Sequence, residues 1–138
     1  MLTHRTTYRV IYGDTDSMKV AYYANYLRWF EMGRSEMFRG LGLTYKSIES
    51  RGVFLPVSEV HCKFKSVVQY DDVIIIETSL DPQVRGGMKF DYTIFSENGH
   101  KIIAQGYTKH ACMNGDGRVI RPPAFILDLI KKSGVASE

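Results

Sequence analysis

The sequence predicts an α+β domain, one long helix wrapped by a curled antiparallel sheet. Three observations carry this. One strong amphipathic helix stands near the N-terminus, after a single strand-like segment. Four or five alternating segments follow it, with short turn signals between them. The helix has an apolar stripe that must be buried, and one sheet face is available to bury it. The chain has 138 residues, of which 44% are hydrophobic. That supports a single domain over 1–138 with a real core, and speaks against disorder.

Residues 6–12 alternate, with Tyr8, Val10 and Tyr12 on one face and Thr7 and Arg9 on the other, as in a half-buried strand. Residues 13–19 are polar and read as a loop. The helix is expected over roughly 23–41, with Leu27, Phe30, Gly33, Met37 and Leu41 on one stripe. Gly33 within that stripe costs about 1 kcal/mol relative to alanine. A backbone packed closely on a sheet would offset the cost. "GLGLT" ends the helix, and 44–51 reads as a short second one.

Then come the strands. Residues 56–67 place Val60, Cys62 and Phe64 on one face. "VIIIETSL" is β-branched and apolar, which suits a central strand. "RGG" and "ENG" are hairpin turns around the alternating "MKFDYTIFS". Residues 100–113 read as one long strand, and Ala104, Gly106 and Thr108 leave room for the helix on one face. "NGDG" is a further turn, "RPP" opens a C-terminal helix over 124–132, and the tail 133–138 is expected to fray.

Composition excludes several classes. A net charge of +3 is too mild to argue for nucleic acid. No apolar run reaches the length of a membrane span, and "MLTHRTTYRV" lacks the apolar core of a signal peptide. A cytoplasmic protein is expected. Cys62 and Cys112 form no CxxC pair, and His4, His61, His100 and His110 show no metal-binding spacing, so neither a metal site nor a cofactor is expected.

The stretch "YGDTDSMKVAYYANYLRWFE", residues 12–31, is the most informative. Followed by meander strands, it resembles the hotdog-fold thioesterases, within them the 4-hydroxybenzoyl-CoA thioesterase group and its YbgC-type acyl-CoA thioesterases. The likeness runs from Thr6 to about Lys131. It implies the hotdog fold, an acyl-CoA substrate recognised in part through its CoA moiety, and homodimers or homotetramers with active sites between subunits. It also implies that the second aspartate of the motif, Asp16, carries the chemistry. The backbone N–H at Tyr23, at the start of the long helix, would stabilise the oxyanion. Residue preferences alone favour Asn25 as N-cap and a slightly later helix start. Two departures stand out. Lys19 occupies a position usually held by glycine, and Tyr23 stands where some YbgC-type members carry histidine.

Chemistry agrees with this assignment. An ionised carboxylate can attack a thioester carbonyl, giving a mixed anhydride, or deprotonate water. A helix N-terminus offers unpaired N–H groups and a partial positive charge to the oxyanion. A thiol with pKa near ~8.5 leaves without a general acid. Arg85, Lys89, Arg118 and Arg121 flank turns and are candidates for CoA phosphates, although solvated surface charge is the more common role.

Plainer readings stand beside these. "DTD" is good turn chemistry, so without the resemblance Asp14 and Asp16 would be loop caps. Tyr22, Tyr23, Tyr26, Trp29 and Phe30 are more often core or interface than substrate contacts. Glu31 and Glu36 read as surface charges, and Glu59 as a candidate buried carboxylate. Hotdog hydratase chemistry would need a histidine near the helix start, and none lies between Asp14 and Arg51. A non-catalytic protein binding acyl-CoA or another partner is the alternative.

Overall fold

The computed structural model describes residues 2–83 and 86–135. The order is β1 (Thr3–Arg9), α1 (Asn25–Gly40), α2 (Tyr45–Ser50), β2 (Val57–Phe64), β3 (Val73–Leu80), β4 (Gly87–Ser96), β5 (Ile102–Ala111) and α3 (Ala124–Val135). The strands form one antiparallel sheet in the order β1-β3-β4-β5-β2. α1 lies across one face of it, the layout of an α+β hotdog fold.

Alternation in the strands becomes the core directly. Ile74, Ile76, Thr78 and Leu80 of β3, and Met88, Phe90, Tyr92 and Ile94 of β4, all point under the helix and are buried. β3 is interior, as its β-branched run predicts. The small face of β5 also serves as expected. Phe30 of α1 sits over Gly106, where an added Cβ would come within 2.9 Å of its ring, and stacks on Tyr92 with centroids 4.2 Å apart. Gly33 lies against β3, so the helix backbone does pack closely on the sheet.

Several expectations need correction. β1 ends at Arg9, and Tyr12 falls in a 3-10 turn (Tyr12–Asp14), 77% exposed rather than facing inward. The chain leaves the sheet there because Val10 pairs with the 71–72 turn instead of continuing along β3. Leu27 of the expected stripe is 40% exposed, whereas Tyr26, Trp29, Arg34 and Phe38 are buried, because the curled sheet wraps more than one stripe of α1. β5 is shorter than the expected 100–113. Glu59 is not buried. It stands on the outer face of edge strand β2, bonded to the Tyr107 hydroxyl and paired with Lys109, which together hold its carboxyl below the usual range. α3 runs to Val135, three residues into the tail expected to fray; the rest of that tail, 136–138, and Arg85 lie outside the described residues.

α2 starts with a reciprocal cap. Thr44 Oγ1 accepts from the Ser47 N–H, and Ser47 Oγ accepts from the Thr44 N–H. This fixes Tyr45 against Phe38 of α1, edge to face.

Candidate active site

The Asp16 loop is folded by its own backbone. Thr15 bridges to Ala21, Asp16 N–H donates to Val20 O, and Lys19 N–H donates to Asp16 O. The turn demands a left-handed residue, and Lys19 supplies it with φ of 67°. That explains a glycine preference at this position, since a side chain is strained there. Lys19 is exposed and makes no ion pair with Asp16.

Asp14 anchors the loop from beneath and is fully buried. Its Oδ2 accepts from the Tyr8 hydroxyl at 2.7 Å and from Ile11 N–H at 3.0 Å, and its Oδ1 faces Arg28 Nη1 at 3.4 Å. Burial, and the hydrogen bond to Asp14, push the Tyr8 phenol up to about 12, so it remains a donor. The Asp14 carbonyl accepts from both Tyr22 N–H and Asn25 Nδ2, each at 2.8 Å. One residue thus ties the loop to the start of α1. The expectation that Asp14 shapes the loop describes this arrangement.

Asp16 is half-buried. Its Oδ1 accepts from Met18 N–H at 2.8 Å, and its Oδ2 has no partner among the described residues. Tyr22 lies close enough to feel its charge. The Tyr23 hydroxyl first, and Asp16 more weakly, hold the Tyr22 phenol above its ordinary value.

α1 begins at Asn25 with Ala24 as N-cap, and no side chain caps it. Both expected starts shift: Asn25 is the first helical residue rather than the cap, and Tyr23 lies one residue ahead of the cap. The backbone explains why. Tyr22 O, Tyr23 O and Ala24 O accept successive turn bonds from Asn25, Tyr26 and Leu27, so the turn builds up from Tyr22. The N–H groups of Tyr23 and Ala24 donate to no acceptor among the described residues. They follow Tyr22, whose N–H is spent on Asp14. An unspent carboxylate oxygen and two unspent N–H donors therefore lie on one short segment.

The basic candidates separate. Lys89 is engaged by Asp81 and Asp91 and lies over Tyr107 on the outer sheet face, whereas Arg118 and Arg121 are exposed. Sequence reasoning missed Arg34. It is buried, and it heads a polar chain under the helix. Burial, with the charge of Arg34 acting the same way, lowers His110 to about 4 against the opposing bond to Leu55 O. Neutral His110 donates from Nδ1 to Leu55 O, so its Nε2 accepts from Thr108. Thr108 in turn accepts from Tyr92, and Tyr92 from Arg34. An arginine directly after a glycine on a buried stripe was the only available signal.

Comparisons with known proteins agree with the fold. A family model described as the thioesterase-like superfamily matches residues 10–130. The 1,4-dihydroxy-2-naphthoyl-CoA hydrolase of Thermosynechococcus vestitus is 30% identical over 108 residues, 75% of this chain and 71% of that protein. Acyl-CoA thioesterase YbgC of Haemophilus influenzae is 27% identical over 118 residues, 85% of this chain and 84% of its own. The solved DHNA-CoA thioesterase from Staphylococcus aureus superposes with a TM-score of 0.88 at 28% identity, covering 99% of this chain and 93% of that one. The chain belongs to the thioesterase-like superfamily of hotdog-fold proteins.

Proposed function

We propose that this protein is an acyl-CoA thioesterase, hydrolysing acyl-CoA to the free acid and CoA. The observation that carries the proposal is that one Asp16 oxygen and the Tyr23 and Ala24 N–H groups, all on one short segment ahead of α1, have no partner among the described residues. The three relatives named above are called CoA-thioester hydrolases or thioesterases, which supports the same reaction.

In this mechanism the acyl oxygen sits at the Tyr23 N–H, where the helix terminus adds its partial positive charge. Asp16 attacks the carbonyl carbon through Oδ2, or takes a proton from a water that does so. Negative charge moves to the acyl oxygen as the tetrahedral centre forms. Donors placed there are worth a few kcal/mol, on the order of a hundredfold or more in rate. The C–S bond then breaks, and the thiolate leaves without needing a proton; on the anhydride route water then cleaves the anhydride, releasing the acid and restoring the Asp16 carboxylate. Hydroxylamine trapping decides between the two routes when the hydroxamate is sought on the protein, because only an anhydride at Asp16 leaves one on the Asp16 side chain, whereas the free acyl hydroxamate also forms from the thioester directly.

The assembly in this proposal is a homodimer or homotetramer in the cytoplasm. β2 is an edge strand carrying exposed Val57, Val60 and Phe64, a surface suited to a second copy. Cys62 and Cys112 are free thiols, as suits a reducing compartment. Light scattering on the purified protein tests the assembly.

The reaction is tested by following thiol release over short, long and aromatic acyl-CoAs, with Asp16→Asn alongside. The variant is expected to fold and to lose at least a hundredfold in kcat. Wild-type activity in Asp16→Asn would remove Asp16 from the mechanism. No turnover by the wild type on any acyl-CoA would favour the binding protein.

A further inference from the structure

Beyond the Asp16 loop, α1 carries a guanidinium with most of its donors unspent. The Arg34 side chain is only 9% exposed. Its Nε donates to the Tyr45 hydroxyl at 2.8 Å, and its Nη1 reaches the Tyr92 hydroxyl at a long 3.4 Å. Nη2 meets only the Glu31 carboxylate, 3.9 Å away and 67% exposed. Five N–H groups are available on a guanidinium, and no Arg34 nitrogen is among the fully buried side-chain atoms that lack a partner, so the donors left over reach open space. Tyr45 accepts from Arg34, and among the described residues its own proton has no acceptor.

Both groups open on a cavity of about 720 Å³, walled by Phe54, Leu55, Pro56, Val57 and Met113. A smaller cavity of about 350 Å³ shares Glu31, Arg34 and Val57 with it and extends to Leu27 and Val60. Next along is a third, of about 420 Å³, lined by Tyr23, Tyr26 and Phe64. The series follows α1 from Tyr23 to Arg34, and β2 in the opposite sense from Phe64 to Val57. The first two cavities share residues and the third stands apart from them, all three lying between α1 and β2; their β2 side is Val57, Val60 and Phe64, the residues proposed above to face a second copy, so in that assembly the partner helps to close them.

We propose that Arg34 and Tyr45 bind an uncharged oxygen, a hydroxyl or carbonyl, at the far end of the acyl group whose thioester is held at Asp16. This rests on the thioesterase reading above. A second carboxylate is the wrong ligand, because Glu31 already offsets the guanidinium and Glu49 also lines the cavity. A hydroxyl satisfies both sides, accepting from Arg34 or Tyr45 and donating to Glu31. Length follows from the helix. Tyr23 to Arg34 is eleven steps, about 16 Å along the axis. The arginine leans back toward the N-terminus by several ångströms. At ~1.25 Å per methylene, given a C–C bond near ~1.5 Å, the remaining distance fits a chain of about ten carbons.

The test compares kcat/KM for 10-hydroxydecanoyl-CoA, decanoyl-CoA and decanedioyl-CoA, in the wild type and in Tyr45→Phe. Calorimetry with 10-hydroxydecanoate and decanoate runs in parallel. The wild type should favour the hydroxylated thioester over decanoyl-CoA by about tenfold or more, with no such gain for the terminal carboxylate. Tyr45→Phe should bring that ratio toward one, and the free acids should rank in the same order. Equal kcat/KM with equal binding in the wild type overturns the proposal while leaving the thioesterase reading intact. So does a Tyr45→Phe variant that changes oligomeric state but not the ratio. Tyr45-dependent binding of the hydroxy acid, without turnover of any thioester, would support the cradle and overturn the reaction instead.

Discussion

Gly33→Ala is the sharpest test of how this sequence fixes its fold. On an exposed helix the change would stabilise by about 1 kcal/mol, through propensity and a less flexible unfolded chain. Here the new Cβ would lie 2.8 Å from Ile76 Cγ2 and closer still to Thr78 Oγ1. Ordinary carbon contacts lie near ~3.5–4.0 Å, so the helix or both side chains must move. Ile76 and Thr78 are fully buried in β3 and have no empty space to enter. Overpacking of this kind costs about 1–3 kcal/mol, more than the propensity gain. We expect a net loss of about 1–2 kcal/mol, read as a lower urea midpoint with an unchanged m-value. Thr78→Ala removes the nearest atom, so the double variant should recover part of the loss as a coupling of about 1 kcal/mol. An alanine at 33 that raises the midpoint, or two losses that simply add, would refute close helix–sheet contact at this point.

His110 should make stability depend on pH. Its value is lowered from 6.5 to about 4 in the fold, so the unfolded chain binds the proton more readily. Stability is therefore fully present above the unfolded value and is lost as pH falls toward the folded one. Between pH 7 and 5 this amounts to about 2 kcal/mol, visible in urea midpoints; a midpoint that does not move over that range refutes a buried neutral imidazole. Lys19→Gly relieves a left-handed backbone but adds freedom to the unfolded chain, for a net gain of about 0.5 kcal/mol, whereas Lys19→Val should lose at least ~1 kcal/mol. Thermal melts of the pair give the sign. Asp14→Asn keeps the size but puts an amide where Arg28 or Tyr8 now donates. It should cost about 2 kcal/mol and lower kcat more than it raises KM, because the start of α1 loses its anchor.

Much of the architecture was legible because strand alternation and helix periodicity report burial directly. β3 and β4 could be read residue by residue, since both are interior and one face of each is covered by α1. Gly33 and Gly106 could be read as close approaches because their cost needs a packing reason. β2 was harder. It alternates like its neighbours, yet it is an edge, and Glu59 on its outer face looked buried only because its strand neighbours are apolar. The end of β1 was missed because alternation continues through Tyr12 while the backbone turns away. The site divides in the same way. Asp16 stood out only through resemblance, since "DTD" alone is ordinary turn chemistry. Arg34 left almost no trace, because its partners Tyr45, Tyr92 and Thr108 are distant in sequence and meet only through the packing of α1 and α2 on the sheet.

The start of α1 shows why local rules fail where they do. A helix of this length normally begins with Ser, Thr, Asp or Asn, whose side chain satisfies exposed N–H groups and adds about 1 kcal/mol. Here the cap is Ala24, and the available polar residue, Asn25, is turned aside. Its amide donates to the Asp14 carbonyl and its oxygen accepts from Arg28. The polar side chain is spent on holding the loop to the helix, not on capping. A conventional cap at 24 would accept from the N–H of Tyr26 or Leu27, which the Tyr23 and Ala24 carbonyls already serve in the turn. Asn25 instead ties the Asp14 carbonyl, two residues before Asp16, to the start of the helix. Local inconsistency of this kind is expected where a chain trades folding energy for a reactive site. It is also why residue preferences pointed to Asn25 as the cap when its side chain serves the loop.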